Sequence, residues 1–164
     1  QEQQGREVFA SMSYTITLEK FTDTYLELEP LYRQHYKEMT DRLNAEGFEY
    51  SPYNPRLAEY GNACERGDLL TCVLRLEGVA CGYINVYMTR DMHNQDLIAT
   101  EDTIFVVKEH RNGIGKKLVQ FGLEELKRRG AKRLLVSAMT DLRVAKLWGR
   151  MGFKEAATQM IYRF

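Results

Sequence analysis

The sequence predicts a single α/β domain in which helices flank a mixed, mostly antiparallel sheet. Three observations lead to this class. Strand-like and helix-like stretches follow one another in the order β, α, α, three β, α, β, α, β; no internal repeat or linker interrupts them; and 164 residues are the length of one domain. A chain of this size buries roughly 70% of its unfolded surface, enough for a core of its own.

The amino-terminal residues Gln1–Ser11 are polar and show no sustained period, so we assign them to a leader or added tail, with Met12 as the natural start. The domain then covers residues 12–164. Its first strand is indicated by alternation, because Tyr14, Ile16 and Leu18 are separated by polar residues. Proline lacks an N–H and suits the first turn of a helix, so we place the start of the first helix at Pro30.

Turn and cap residues set the other boundaries. The first half is predicted to contain the strand Tyr14–Lys20, the helix from Pro30 to Gly47, a short helix capped at Asn54-Pro55 and ended by Gly67, and the strands Leu69–Glu77, Ala80–Thr89 and Leu97–Val107. The second half is predicted to contain a glycine turn at Arg111–Gly115, a helix ending at Gly130, a buried strand Arg133–Ala138, a helix capped by Thr140 or Asp141 and ended by Gly152, and a last strand Glu155–Phe164.

Bulk properties exclude several function classes. Lys plus Arg equals Asp plus Glu, so the net charge of zero gives no reason to expect nucleic acid. No apolar run approaches the ~18 residues of a membrane span. Cys64, Cys72 and Cys81 have spacings unlike a zinc site and apolar neighbours, so we expect buried free thiols, no metal and a cytoplasmic protein.

The most informative segment is Thr103–Gly115, in which a strand ends, the chain turns on two glycines and an amphipathic helix begins. Unpaired N–H groups at the start of a helix bind phosphate well, and Arg111, Lys116 and Lys117 add positive charge. The residues do not fit G-x-x-x-x-G-K-[ST], because Lys117 follows Lys116. They do not fit G-x-G-x-x-G either, because Leu118 takes the third glycine position.

This segment resembles the [RQ]-x-x-G-x-[GA] signature of the GNAT superfamily of N-acetyltransferases. A second stretch, Asp141–Phe153, is similar to that family's helix N-x-x-A-x-x-x-Y-x-x-x-G-F. The resemblance implies a sheet that splays between its fourth and fifth strands, Leu97–Val107 and Arg133–Ala138. It also implies acetyl-CoA as co-substrate, held by Val106, Val107, His110, Arg111, Asn112, Gly113, Ile114, Gly115, Lys116, Asp141 and Trp148.

The chain departs from the family pattern at three positions. His110 takes the [RQ] position and Arg111 follows one place late, so a turn one residue shorter would give Arg111 that role. Asp141 replaces the asparagine. Trp148 stands where the family often has a tyrosine that protonates the leaving thiolate, and indole cannot do so; Trp148 would form a wall of the cofactor site or part of the core.

The resemblance implies an enzyme that transfers an acetyl group to a primary amine, on a small molecule or a protein, by direct attack. A backbone N–H between Val106 and Lys108 would hold the thioester carbonyl. Glu101 or Asp102 would act as general base, and since neighbours on a strand point to opposite faces, at most one should face the cleft. The alternative is an inactive domain that binds CoA, or nucleic acid, as a regulator.

The acceptor amine is not identified by the sequence, and a homodimer is compatible with it. Tyr50, Tyr53 and Tyr60 lie where the family forms its acceptor site. We also expect a cationic acceptor from a group of acidic residues near the presumed mouth, Glu46, Glu49, Asp91 and Asp96. Outside the cofactor turn we expect His35 to be hydrogen-bonded within the core and His93 to face solvent, and we keep Tyr162 as a spare proton donor.

A basic run lies at the end of the long helix, formed by Lys127, Arg128, Arg129, Lys132 and Arg133. Cations there complement the negative end of the helix dipole, which is a structural role. No aromatic residues alternate with these cations, as a stacking surface for single-stranded nucleic acid would require.

Overall fold

The computed structural model describes residues 6–9, 13–139 and 141–164. The elements, in chain order, are β1 (Arg6–Phe9), β2 (Tyr14–Leu18), α1 (Phe21–Ala45), α2 (Leu57–Arg66), β3 (Leu69–Leu76), β4 (Val79–Arg90), β5 (Leu97–Val106), α3 (Ile114–Arg128), β6 (Arg133–Leu135) and α4 (Leu142–Arg150). A single 3-10 turn, Lys108–His110, joins β5 to the glycine turn.

The strands form one mixed sheet in the sequential order β1 to β6. All neighbouring pairs are antiparallel except β5 and β6, which are parallel. That last pairing joins only Ile98, Ala99 and Thr100 to Arg133, Leu134 and Leu135. Beyond Thr100 the two strands separate, so the predicted splay is confirmed and the outer edge of β5 is open from Glu101 to Val106.

Two apolar clusters lie on opposite faces of the sheet. Leu118, Val119 and Trp148 belong to the cluster under α3 and α4, together with Val86 and Ala99. On the other face, under α1 and α2, Phe21, Leu28 and Tyr32 pack against Tyr83 and Phe105. Each helix contributes an apolar stripe, and burial of these stripes holds the layers together.

The tight turn between β3 and β4 confirms the predicted hairpin. Glu77 and Gly78 have φ of 49° and 85°, the left-handed pair that a two-residue hairpin turn requires. Gly67 ends α2 as expected, but α2 begins at Leu57, two residues after Pro55.

The prediction that the first helix begins at Pro30 is wrong. The helix begins at Phe21, and Pro30 lies inside it. The carbonyl that proline leaves without an N–H partner belongs to Leu26, which is 85% exposed, so water can satisfy it. The apolar contacts of Phe21 and Leu28 with the sheet extend the helix through the proline.

The two ends of the chain also differ from expectation. Arg6–Phe9, predicted to lie in a tail outside the domain, pairs antiparallel with β2. Gln1–Gly5 and Ala10–Met12, which include the proposed start, lie outside the described residues.

The predicted last strand Glu155–Phe164 is wrong, because residues 154–164 are neither helix nor strand. Met160, Tyr162 and Phe164 are exposed there and lack a partner strand in the described part of the chain. Arg133–Ala138 shortens to β6 and is only partly buried.

Candidate active site

A cleft of about 1170 Å³ opens where β5 and β6 separate. Because it lies at the edge of the sheet, it contacts both faces: Tyr83 and Phe105 line it from the α1 and α2 side, and Ile104 and Leu147 from the α3 and α4 side. Large ligand pockets commonly lie at such a break in a sheet. The cleft therefore joins two surfaces of different chemistry.

One half of the cleft is built on the turn that precedes α3. Gly113 caps the helix with φ of 97°, a left-handed conformation that disfavours any side chain. A Cβ on Gly113 or Gly115 would meet no heavy atom within 4 Å, so the space beside the turn is open. The first N–H groups of α3 lack intrahelical acceptors and lie at the positive end of the helix dipole.

Cationic side chains surround this half. The cations that line the cleft here are Arg42, Arg111, Lys116, Arg143 and Arg150. The sequence indicated Arg111 and Lys116, but Arg42, Arg143 and Arg150 come from α1 and α4, and only the fold brings them to the glycine turn.

His110 and Arg111 hold the turn rather than facing open space. Nδ1 of His110 and the hydroxyl of Tyr14 lie 2.8 Å apart, which ties the turn to β2. Arg111 donates from Nε to the carbonyl oxygen of Val106 at 2.6 Å and from Nη2 to Glu38 at 2.8 Å. Its guanidinium also lies 5.2 Å from the ring centroid of Phe105. Arg111 thus bridges the cleft from β5 to α1.

The backbone at the end of β5 distinguishes Val106 from Val107. The N–H of Val107 donates to the carbonyl of Cys81 on β4 at 2.8 Å, so it is already used inside the sheet. The carbonyl of Val106 points outward to Arg111, and the N–H of a strand residue points to the same side as its carbonyl. Of the two valines, Val106 therefore offers backbone groups to the cleft.

The remaining predicted cofactor residues divide into lining and supporting residues. The side chain of Ile114 is buried in the core, which leaves only its backbone for a ligand. Asn112 is exposed beside the turn and is not among the lining residues. Asp141, which does line the cleft, caps α4 by accepting the N–H of Arg143 at 3.0 Å; Thr140, the other predicted cap, lies outside the described residues.

The carboxylate of Asp141 is held between two arginines. Burial alone would raise the pKa of its carboxyl, but hydrogen bonds from Arg143 and the charges of Arg143 and Arg42 together lower it. Its oxygen lies 3.5 Å from Arg42 of α1 and 3.2 Å from Arg143. The ion pairs link α4 to α1 across the cation-rich half of the cleft.

Trp148 belongs to the core and not to the cleft wall that the sequence favoured. It is 5% exposed, packs against Phe153 and is absent from the residues that line the cleft. Its Nε1 donates to the carbonyl of Ser137 at 3.0 Å. The neighbouring helix positions Val144 and Leu147 form the wall instead.

Glu101 and Asp102 lie at the open edge of β5, and both line the cleft. Glu101 pairs with Val86, which packs under α3, whereas Thr103 pairs with Asn85, which bonds to Tyr32 of α1. Asp102 between them is the extra residue of a β-bulge, and it accepts a hydrogen bond from Tyr60 of α2 at 2.7 Å. The two carboxylates do point to opposite faces, but the expectation that only one reaches the cleft is wrong, because the cleft spans the sheet edge.

Desolvation separates the two carboxylates chemically. Burial, with a smaller contribution from the Asp102 charge, raises the pKa of Glu101 to about 7. Burial among the cleft walls also raises the pKa of Asp102, while the hydrogen bond from Tyr60 opposes that rise. Since Asp102 remains accessible to water in the open cleft, we expect it to be ionised near neutral pH.

The other half of the cleft is aromatic. Tyr53 and Tyr60, as predicted, line it, but Tyr50 does not. The sequence did not indicate the other lining residues with phenyl or phenol rings, Phe21, Tyr25, Tyr32, Tyr36, Tyr83, Tyr87 and Phe105. They come from α1, β4 and β5, where their spacing is that of ordinary core residues.

His35 is bound within this aromatic half, which confirms its predicted structural role. Its Nδ1 lies 3.0 Å from the Tyr83 hydroxyl, and its ring stacks on Phe105 with centroids 5.2 Å apart. Burial lowers the pKa of His35 to about 4, so the imidazole is neutral near pH 7.

The acidic residues predicted to surround the mouth of the cleft do not lie there, and three of them pair with arginines. Asp91 and Asp96 bind Arg133 at 2.7 and 3.3 Å at the far end of the β4–β5 hairpin. Glu49 pairs with Arg163 at 3.0 Å, and Glu46 is exposed and does not line the cleft. Tyr162 is 80% exposed outside the cleft and contacts Phe164 edge-to-face, while His93 is exposed as expected.

Salt bridges explain much of the basic run at the end of α3. Arg128 and Arg129 pair with Glu125, and Arg133 pairs with Asp91 and Asp96. The structural role is therefore confirmed for these three arginines.

The cysteines are free, with Cys72 and Cys81 buried and Cys64 half-buried. Burial raises the pKa of the Cys72 thiol, and that of Cys81 to about 11, so neither is an ionised nucleophile.

No group of three or more potential metal ligands occurs within the described ranges. The helices within the described residues are too short or too polar to span a bilayer.

Solved structures of similar fold are acetyltransferases of different specificity. An aminoglycoside acetyltransferase from an uncultured soil metagenomic sample, in complex with trehalose, has a TM-score of 0.71 at 16% identity, over 92% of this chain and 96% of that one. A ribosomal-protein-alanine N-acetyltransferase from Brucella melitensis biovar Abortus 2308 has a TM-score of 0.67 at 18% identity, over 91% and 99%. Glucosamine-6-phosphate N-acetyltransferase from Arabidopsis thaliana has a TM-score of 0.60 at 17% identity, over 93% and 99%.

At these identities the likeness concerns the fold alone, and no curated protein sequence matches the chain. The family comparison is more direct. The model of the acetyltransferase (GNAT) family matches residues 24–153, which is most of the chain, and this protein therefore belongs to the acetyltransferase (GNAT) family.

Proposed function

We propose that the chain transfers the acetyl group of acetyl-CoA to a primary amine by direct attack. The observation that carries this proposal is the open, cation-lined space at the start of α3, directly beside the free edge of β5. A pyrophosphate fits the first, and an extended amide-bearing chain fits the second.

The residues around the turn fit the CoA moiety. N–H groups of the Gly113–Lys116 turn would bind the pyrophosphate, with Lys116, Arg143 and Arg150 adding charge. Val106 would hold the pantetheine or the thioester carbonyl through its outward backbone groups, once Arg111 releases its carbonyl. Asp141 and Trp148 would act indirectly, by fixing the start of α4 and the wall behind Leu147.

Glu101 is the general base of this proposal. The acceptor reacts as a neutral amine, after its ammonium has lost one proton to solvent. Its nitrogen forms the new C–N bond with the acetyl carbon as the C–S bond of the thioester breaks, Glu101 takes the second proton from that nitrogen, and CoA leaves as the thiolate. A pKa of about 7 matches this task, because the carboxylate is then both available and sufficiently basic near neutral pH. Trp148 does not protonate the departing thiolate, because its N–H is bound to Ser137.

The test is a transfer assay with purified protein, acetyl-CoA and a panel of primary amines, in which free CoA and acetylated product are quantified by chromatography. We expect both products in equal amounts, and acetyl-CoA binding by calorimetry with a dissociation constant on the order of micromolar. Binding without transfer to any amine would instead favour the regulatory alternative. Absence of binding would overturn the proposal.

Direct attack also predicts that no acetyl-enzyme forms. Cys72 and Cys81 are buried as neutral thiols, and Cys64 is not among the described residues that line the cleft, so mass spectrometry of the protein incubated with acetyl-CoA alone should show no acetylated cysteine. A cysteine adduct that disappears when an amine is added would contradict direct attack.

A further inference from the structure

We propose that the acceptor is a compact amine with one ammonium group and an aromatic or apolar body, bound among the tyrosines of α1 and α2 with its ammonium directed to Asp102. This inference rests on the proposed acetyl transfer and specifies its second substrate. It separates the chain from transferases whose acceptors carry several positive charges.

The aromatic half supplies the surface for the apolar body. Tyr60 stacks on Phe21 with ring centroids 4.6 Å apart, and Tyr25 stacks on Tyr32 at 5.7 Å. Tyr87 lies 5.9 Å from Tyr60, which continues the wall onto β4. A ligand that inserts a ring or hydrocarbon chain here buries apolar surface and gains aromatic contacts.

The free negative charge in the cleft is small. Among the described residues, five carboxylates line it, namely Glu38, Glu59, Glu101, Asp102 and Asp141. Glu38 is paired with Arg111, Glu59 with Arg56, and Asp141 with Arg42 and Arg143. Only Glu101 and Asp102 have no ion-pair partner in the described part of the chain.

Of those two, Asp102 is the carboxylate that faces the aromatic half. It is held by Tyr60, and it lies on the α2 side of the bulge, whereas Glu101 lies on the α3 side. Glu101 is also partly protonated near neutral pH. The cleft can therefore neutralise about one ammonium, while a polyamine or aminosugar antibiotic would bring further cations toward Arg56 and Arg111.

The tyrosines strengthen the preference for an ammonium. The negative faces of aromatic rings attract cations within about 6 Å, and a primary ammonium still has N–H groups free for Asp102 and a tyrosine oxygen. Arg33, 4.8 Å from the centroid of Tyr53, already uses one outer ring face in this way.

The experiment compares kcat/KM for 2-phenylethylamine, spermidine and kanamycin at saturating acetyl-CoA. We expect 2-phenylethylamine to exceed each polycation by at least about 10-fold, because only its ring can be buried by the tyrosines. A polycation that is turned over faster would overturn the acceptor inference while leaving acetyl transfer intact. If no amine is turned over, equilibrium binding of 2-phenylethylamine to the CoA-bound protein decides: binding supports the inference, and its absence overturns it.

Matched variants test the role of Asp102. Asp102→Asn should raise KM for 2-phenylethylamine at least about 10-fold with a smaller change in kcat, because the charged hydrogen bond to the ammonium is lost. Tyr60→Phe, which keeps the ring, should raise KM about 3-fold. Glu59→Gln removes a carboxylate that is already paired with Arg56 and should change KM less than about 2-fold. Equal effects of Asp102→Asn and Glu59→Gln would contradict the assignment, and acetyl-CoA affinity in all three variants reports on correct folding.

Discussion

The two halves of the cleft are built in opposite ways. The cation-lined half, called the cofactor half because we propose that acetyl-CoA binds there, is centred on the backbone and glycines of one continuous segment, Val106–Lys116. The aromatic half, which we propose for the acceptor, draws its tyrosines from α1, the loop before α2, α2 and β4. A site made from one segment leaves a pattern in the sequence, whereas a site assembled from several elements resembles ordinary core residues until the chain is folded.

The largest effect should come from the centre of the cofactor half. Gly113→Glu introduces a side chain at φ of 97° and a negative charge into the space proposed for the pyrophosphate. We expect acetyl-CoA affinity to fall at least about 100-fold, because steric and charge repulsion act together. Calorimetry on the folded variant measures this directly.

Gly130→Glu is the matched control. Gly130 follows the same helix at φ of 86° but lies outside the cleft, so its substitution carries similar backbone strain. The control should lose stability and keep its acetyl-CoA affinity. Similar losses of affinity in both variants would show that strain, rather than the phosphate site, explains the result.

The next effect lies at the boundary between the halves. Glu101→Gln should lower kcat/KM about 100-fold with unchanged acetyl-CoA affinity. In the wild type the rate should rise with pH through about 7, because the base works only when deprotonated, and this acidic limb should vanish in the variant. Asp102→Asn should retain this acidic limb. If the limb disappears only in Asp102→Asn, then Asp102 and not Glu101 is the general base.

A smaller effect should show that the halves communicate through Arg111. Glu38 on α1 accepts a hydrogen bond from this arginine at 2.8 Å. Glu38→Gln should tighten acetyl-CoA binding about 3-fold, because one half-exposed ion pair no longer competes. Glu29→Gln, which removes an exposed ion pair with Arg33 on the same helix, should leave affinity unchanged. Weaker binding by Glu38→Gln would mean that Glu38 positions Arg111 for the cofactor.

The last effect concerns the stability of the aromatic half, not ligand binding. His35 has a folded-state pKa of about 4 against 6.5 unfolded, so its contribution to stability is present above pH 6.5 and lost as pH falls toward 4. The free energy of unfolding of His35→Gln should therefore fall less than that of the wild type as pH decreases, by on the order of 1 kcal/mol at pH 5. Urea unfolding from pH 7 to 4.5 measures both slopes, and parallel slopes would contradict the buried, neutral assignment.

Local signals explain which parts of the fold could be predicted. The Glu77-Gly78 hairpin and the Gly113 turn depend on neighbouring residues and were predicted correctly. The start of α1 was predicted wrongly, because tertiary contacts of Phe21 and Leu28 extend the helix through Pro30. The last strand was predicted wrongly too, because a strand also needs a partner, which alternation alone does not supply.

The same division holds within the candidate site. Glu101, Gly113 and Lys116 reach the cleft from the segments where sequence placed them. Arg143 and Arg150 are charged residues on a helix surface, and Tyr87 follows the alternation of a strand, so nothing local distinguishes them. The acidic residues Asp91 and Asp96 were assigned wrongly because the sequence does not show that Arg133 lies beside them.

The extra residue at Asp102 changes which positions of β5 face each side of the sheet. Before it, odd-numbered positions such as Ala99 and Glu101 are directed toward α3; after it, the odd-numbered Thr103 and Phe105 are directed toward α1. Removing Asp102 would leave a regular ladder in which Glu101 and Thr103 face opposite sides as they do now, so Phe105 and Val106 would keep their sides. The bulge therefore adds one carboxylate to the side that faces α2 without turning its neighbours, and a deletion here would remove Asp102 while Glu101 and Phe105 stay directed as before.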